Sequence, residues 1–341
     1  MFRFADKYSQ PLLSSLLGEG FSQVLSQNKV LWMKLLSSIL FIISSVATAN
    51  IISSVATVKE STAELSGKFN AGDLSLHVEC YGRAMAISIV VSSGYNGYGS
   101  QGKWNKVIND VKSKHRICVY DRAGMGKSER IIEPYSYKKS AIRLKELLNN
   151  AGVKPPYIMI GHSKGSYPVR FYNDLFPDDV KGILLVDPAQ YGQDYNMVAK
   201  WKPELEVYAE SINEQRLLEL EVFNNPKNTT YNPFMIDLKK NELELKKKST
   251  FGSVPFVLLW AKNGHSIGSV PSKNWHPDVW FRMAAMYKLA IENMHTNLST
   301  DTTIAYSKTT EHDIFFVEPQ AVVKQLELLS SKVYSSLNST P

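Results

Sequence analysis

Cysteine is nearly missing from this chain: Cys80 and Cys118 are its only two among 341 residues. No C-x-x-C pair exists, which excludes the dithiol redox and zinc-ribbon classes that need such spacing. No basic stripe interleaved with aromatics occurs, so nucleic acid is set aside as a partner. The formal charge of +7 is a modest excess. It keeps a protein soluble and gives at most a weak attraction to anionic membranes or substrates. A full G-x-G-x-x-G is also absent. DRAGMGKS (121–128) has only G-x-G, with no acidic residue after a following strand, and is read as a structural glycine turn holding Asp121, Gly124, Gly126 and Ser128. Charged residues make up 21% and hydrophobic ones 44%, which excludes a disordered chain and leaves a globular one with ample core.

Long apolar runs are scarce as well, with one exception. Residues 35–58, LLSSILFIISSVATANIISSVATV, are 24 positions without a charge, between Lys34 and Lys59. Two readings stand beside each other. The length suits a membrane-spanning helix. Alternatively, an export signal starts at Met33, with positive Lys34, an apolar stretch to Val46 and Ala47-Thr48-Ala49 as a small-residue cleavage site, so that the mature chain begins near Asn50. Either way residues 1–58 form an N-terminal extension, and the expectation is a membrane-anchored or exported protein. Cys80 and Cys118 each lie in a strand-like run. They read as buried small hydrophobes, or as a disulfide if the compartment is oxidising.

Against this background the informative stretch is YIMIGHSKGS (157–166), an apolar run that enters a G-x-S-x-G at Gly161, Ser163 and Gly165. A serine on a very tight strand-to-helix turn needs small residues two positions away on either side. The turn lifts the Ser163 hydroxyl off the sheet edge and leaves the backbone N–H of Lys164 free for a developing oxyanion. Lys164 itself puts a cation beside the serine, which favours anionic substrates or points to solvent.

Other strands read as 73–82, 85–94, 116–121, 181–190, 254–261 and 302–307, with an amphipathic helix over 138–152. The loop after the second of these holds four glycines between 94 and 102, and Tyr95, directly after Gly94, is the candidate for a second oxyanion N–H. Residues 191–251 change to polar helices with Leu205, Tyr208, Ile212, Leu220 and Phe223 at helical spacing, the pattern of a helical cap over a site or of a solvated excursion.

A nucleophilic serine needs a base, and the base an orienting group. Of seven histidines, His312 is best placed, after the last strand and before a closing helix; His265 is second, and His162 packs beneath the turn. Asp187, at the C-terminal end of its strand, is the candidate acid. After the 254–261 strand stands Asn263 rather than a carboxylate, and Asn263 is the alternative orienting group.

From about Gly67 to Leu337 the chain resembles the α/β-hydrolase superfamily. The carriers are VVSSGYNGYGSQGKW, VYDRAGMGKS, IGHSKGS, LLVDPA and EHDIFFVEPQAVV. The resemblance implies an α/β-hydrolase fold: an eight-stranded, mostly parallel sheet with flanking helices, its core in 67–190 and 252–341, a cap in 191–251, and no cofactor or metal. It implies Ser163, His312 and Asp187 as a catalytic triad, with Tyr95 and Lys164 as oxyanion donors. The expected activity is cleavage of a small-molecule carboxylic ester through an acyl-enzyme. An aminopeptidase-like or acyltransferase member shares these parts, and a non-catalytic binding protein that kept the fold is the rival. Departures from the family pattern are Ser166 after the elbow, Ser93 in the oxyanion loop, and Pro168 early in the next helix.

Overall fold

The computed structural model describes residues 62–201, 210–245, 250–262 and 276–338. Residues 35–58, Asn263, His265, Leu205 and Tyr208 lie outside these. Among the described residues no helix is long and apolar enough to cross a membrane.

One sheet of eight strands organises the described residues. Its strands are β1 (Leu65–Asn70), β2 (Ser75–Tyr81), β3 (Ser88–Ser92), β4 (Arg116–Tyr120), β5 (Tyr157–His162), β6 (Val180–Val186), β7 (Phe256–Trp260) and β8 (Thr302–Tyr306). The order is β1-β2-β4-β3-β5-β6-β7-β8. The first two pairings are antiparallel and every later one is parallel.

The central strands are continuous apolar runs because helices cover both faces of the sheet. Alternate residues feed opposite cores. Tyr157, Met159, Ile183 and Leu185 pack with α2 (Tyr137–Asn150) and α3 (Ser166–Leu175) through Leu144, Leu147, Val169 and Tyr172. Ile158, Ile160, Leu184 and Val186 pack with α1 (Asn105–Val111) and α9 (Pro319–Asn338) through Val107, Ile108, Val322, Leu326 and Val333. Helix α8 (Ile314–Val317) precedes α9. The two cysteines are in register across β2 and β4 and form a disulfide, so of the two readings it is the covalent one that the structure has.

The described parts of the connections after β6 and β7 contain helices. α4 (Gln193–Ala199), α5 (Glu210–Asn224) and α6 (Leu238–Leu245) follow β6, and α7 (Pro277–Asn297) follows β7. α7 packs against α4. Phe223, Leu238, Leu245 and Met294 of these helices join the core on one face of the sheet, while Trp201, Ile212 and Val279 form a small separate apolar cluster.

Candidate active site

Strand order puts the chemistry in one place. β3 leads to β4 on one side, and the chain then crosses to β5 on the other, which opens a crevice at the carboxyl ends of β3 and β5. The loop starting at Ser93 leaves β3 there, and Ser163 leaves β5. Asp187 follows β6 and His312 lies beyond β8.

Ser163 has φ +51°, a conformation that L side chains rarely adopt and that the tight turn imposes. The motif glycines are fixed by close approach. A Cβ on Gly165 would lie 2.1 Å from the Ser92 carbonyl oxygen, and one on Gly161 would lie 2.8 Å from Cα of Ser166. Pro168 is harmless: α3 starts at Ser166, so its missing N–H falls among those with no partner inside the helix. Ser166 is fully buried and its hydroxyl donates to the Ala189 carbonyl at 3.3 Å. The Ala189 N–H in turn donates to the Ser163 carbonyl at 2.9 Å, tying the elbow to the turn that carries Asp187.

Asp187 and His312 meet: Asp187 Oδ2 is 2.6 Å from His312 Nδ1. The second carboxylate oxygen of Asp187 accepts the Ala261 N–H at 3.1 Å. Asp187 is buried at φ +40°, whereas the His312 side chain is 39% exposed, open enough to meet a ligand. Under His312 lies His162, with ring centroids 4.7 Å apart, and His162 Nε2 is 3.1 Å from the His312 carbonyl oxygen. A carbonyl only accepts, so the hydrogen sits on Nε2 of His162. Burial first, and then the adjacent His312, lower the His162 pKa to about 3, so this ring stays neutral at ordinary pH. Phe315 packs edge-on to His162 and stacks on Trp104 at 4.0 Å. Trp104 also donates its indole N–H to Ser93 Oγ at 3.2 Å. The histidine loop and the β3 loop are therefore joined through one aromatic stack.

The β3 loop approaches the serine directly: a Cβ on Gly94 would be 3.2 Å from Cβ of Ser163. Its orientation is set by Arg122, a residue that sequence reasoning left inside a structural turn. The buried guanidinium donates to the carbonyls of Ser93, Gly94 and Tyr95, the last at 3.0 Å. Carbonyls drawn toward Arg122 leave the N–H groups of those peptides to face the other way. Asp121 adds support by accepting from the Ser100 and Lys127 N–H groups, both at 2.8 Å. The run VYDRAGMGKS held a sequence signal for both residues, since a buried arginine in a glycine turn has to find acceptors.

Tyr95 donates its hydroxyl to Asn232 at 2.8 Å and packs edge-on to Phe234. Lys164 departs from both sequence expectations. Its ammonium is paired with the fully buried Asp194 of α4 and sits over the Tyr95 ring at 5.0 Å, facing neither solvent nor an open anion pocket. The apolar side-chain stem and the carboxylate on α4 win over hydration of the amine. Asn263 and His265 lie outside the described residues. No grouping of His, Cys, Asp and Glu among the described residues is arranged to hold a metal ion.

The family model described as alpha/beta hydrolase fold matches residues 88–324. YqjL of Bacillus subtilis is 30% identical over 115 residues, 34% of this chain, and the match spans less than half of that relative, 45% of its length. Among solved structures, the thermophilic esterase of Thermogutta terrifontis superposes with TM-score 0.51 at 15% identity, over 79% of this chain and 98% of that one. Mouse alpha/beta hydrolase domain-containing protein 10 gives TM-score 0.55 at 16% identity, over 79% and 99%. Likeness at such identity is one of fold. With a model match over more than half the sequence, an eight-stranded sheet of this order and a serine elbow at its switch point, the chain belongs to the α/β-hydrolase fold family.

Proposed function

We propose that the protein is a serine hydrolase that cleaves a small-molecule carboxylic ester through an acyl-enzyme. The observation that carries this reading is the His312–Asp187 pair, 2.6 Å apart, at the same sheet end as a serine held at φ +51°. His312 takes the Ser163 proton as Oγ attacks the ester carbonyl carbon. Asp187 holds the imidazole in the tautomer with hydrogen on Nδ1 and stabilises the imidazolium that forms. The backbone N–H groups of Tyr95 and Lys164 receive the oxyanion of the tetrahedral intermediate. Collapse expels the alcohol, which takes the proton from His312, and water repeats the sequence on the acyl-enzyme.

A fluorophosphonate probe tests this. Wild-type protein should be labelled on Ser163 and Ser163→Ala should not. No labelling of the wild type supports the rival reading, a binding protein that kept the fold.

We also infer that residues 35–58 anchor or export the enzyme. The uncharged length of that segment and the buried Cys80–Cys118 disulfide, a bond of oxidising compartments, support it. N-terminal sequencing of native protein decides: a start near Asn50 means cleavage, an intact extension means an anchor, and intact protein in the soluble cytosolic fraction refutes both.

A further inference from the structure

Beyond the proposed triad, the structure contains a buried ionisable cluster that the hydrolytic chemistry does not use. Lys164 follows the nucleophile, Asp194 belongs to α4, and Glu242 belongs to α6. Asp194 Oδ1 accepts from the Lys164 ammonium, and its Oδ2 has no protein donor among the described residues. Glu242 Oε1 accepts the backbone N–H of Asp194 at 3.1 Å, and the N–H of Tyr195 also favours its charged form. Gly192, the residue that precedes α4, has no side chain to cap it, so a carboxylate from another helix does that work. All three groups are shielded: Asp194 is fully buried, Glu242 is 5% exposed and the Lys164 side chain 13%.

We propose that Lys164, Asp194 and Glu242 form a proton-dependent latch that holds helices α4 and α6 on the nucleophile elbow, with Asp194 and Glu242 as positioning residues. The proposal rests on the serine-hydrolase reading for its consequence in catalysis but not for the latch itself.

The reasoning is electrostatic. Lys164 pairs with Asp194, and Glu242, buried beside that carboxylate, accepts backbone N–H groups, so the docked arrangement favours a proton on Glu242. Other charged and titratable groups also face the cluster. Tyr167 and Arg170 face it from α3, Tyr137 from α2, Tyr287 from α7, and Tyr95 and Tyr191 from loops. Burial keeps the phenols of Tyr167, Tyr137 and Tyr95 protonated and neutral. Arg170 is a second buried cation, with Nε and Nη1 lacking protein partners among the described residues, and its field on Glu242 partly offsets the burial and the Asp194 charge. Burial first, and then the Asp194 charge, raise the Glu242 pKa from 4.5 to about 7.

When the helices undock, Glu242 returns to water and to its ordinary value near 4.5. Docking therefore takes up a proton between about pH 4.5 and 7. The docked-to-undocked ratio falls by up to about tenfold per pH unit across that window and levels off above it. Below the window the cap is held most firmly on the elbow; above it the cap opens more readily.

Hydrogen exchange of the full chain between pH 5 and 8.5, corrected for intrinsic exchange rates, tests the latch. The readouts are amides of residues 193–199 and 238–245, with β5 amides as the folding control. Wild-type protection of the two helices should fall by ten- to a hundredfold from pH 5 to 7 and then stay constant. Glu242→Gln, isosteric and never ionised, should remove that dependence while β5 stays protected. A wild type with no slope, or a Glu242→Gln variant with the wild-type slope, overturns the latch. Fluorophosphonate labelling of Ser163, run on the same samples, reports separately on the hydrolase reading. A second arm compares pH profiles of kcat/KM for a neutral p-nitrophenyl ester: Glu242→Gln should shift the profile below pH 7, and an unchanged profile counts against the coupling of latch to site.

Discussion

His312 and Asp187 stand 125 residues apart in the chain, yet their side chains share a hydrogen bond of 2.6 Å, with Asp187 held from behind by the Ala261 N–H. The carboxylate bonded to His312 therefore stands at the end of β6, the strand next to the one that leads into Ser163.

Asp187→Asn should leave the protein folded and reduce kcat by about 10⁴-fold, because an amide that donates to Nδ1 selects the wrong imidazole tautomer. Asn263→Ala should change kcat by less than about tenfold. Steady-state hydrolysis of a p-nitrophenyl ester measures both, and the reverse result would reassign the acid.

Arg122→Lys should lower kcat by about 10² with little change in KM. A lysine cannot span the three carbonyls that the guanidinium fork engages, so the 93–95 peptides lose their fixed orientation. Loss of one oxyanion donor costs roughly 3 kcal/mol in enzymes of this kind, and a misaligned donor costs part of that.

Gly165→Ala should abolish fluorophosphonate labelling and lower stability by about 1 to 3 kcal/mol in chemical denaturation. Its methyl group would meet the Ser92 and Ser93 carbonyl oxygens at 2.1 and 2.4 Å, and backbone atoms of a central strand do not move aside as a flexible side chain does.

His162 gives a stability prediction with a definite sign. Its pKa is depressed from 6.5 to about 3 in the folded chain, so its contribution is complete above pH 6.5 and is lost as pH falls toward 3. The slope is up to about 1.4 kcal/mol per pH unit. Urea titrations at pH 7 and pH 5 should differ by on the order of 2 kcal/mol from this group, and His162→Gln should lose that difference.

Most of the sheet and the site were legible in the residues, for physical reasons. The covered central strands announce themselves as unbroken apolar runs, and the glycines around Ser163 are demanded by contacts that permit no Cβ. β1 was not legible: LSGKFN is a half-exposed edge strand with a glycine, too weak a pattern to separate from a loop. α7 was equally hidden, since its docking on α4 is a tertiary fact that its own periodicity does not contain. Lys164 shows the same limit at the site. A lysine beside the elbow serine reads as an open cation until Asp194, thirty residues later, is seen beneath it.

The stack of Phe315 on Trp104, with His162 wedged beside it, has a meaning for biogenesis. His312 lies on His162, and His162 lies against a stack whose two rings come from segments that leave the ribosome more than two hundred residues apart. A nascent chain can complete its elbow and still lack this imidazole, which is seated only when the C-terminal end arrives and closes on what was made first. On the serine-hydrolase reading competence is thus the last property the polypeptide acquires, and it arrives together with the helix that closes one face of the sheet.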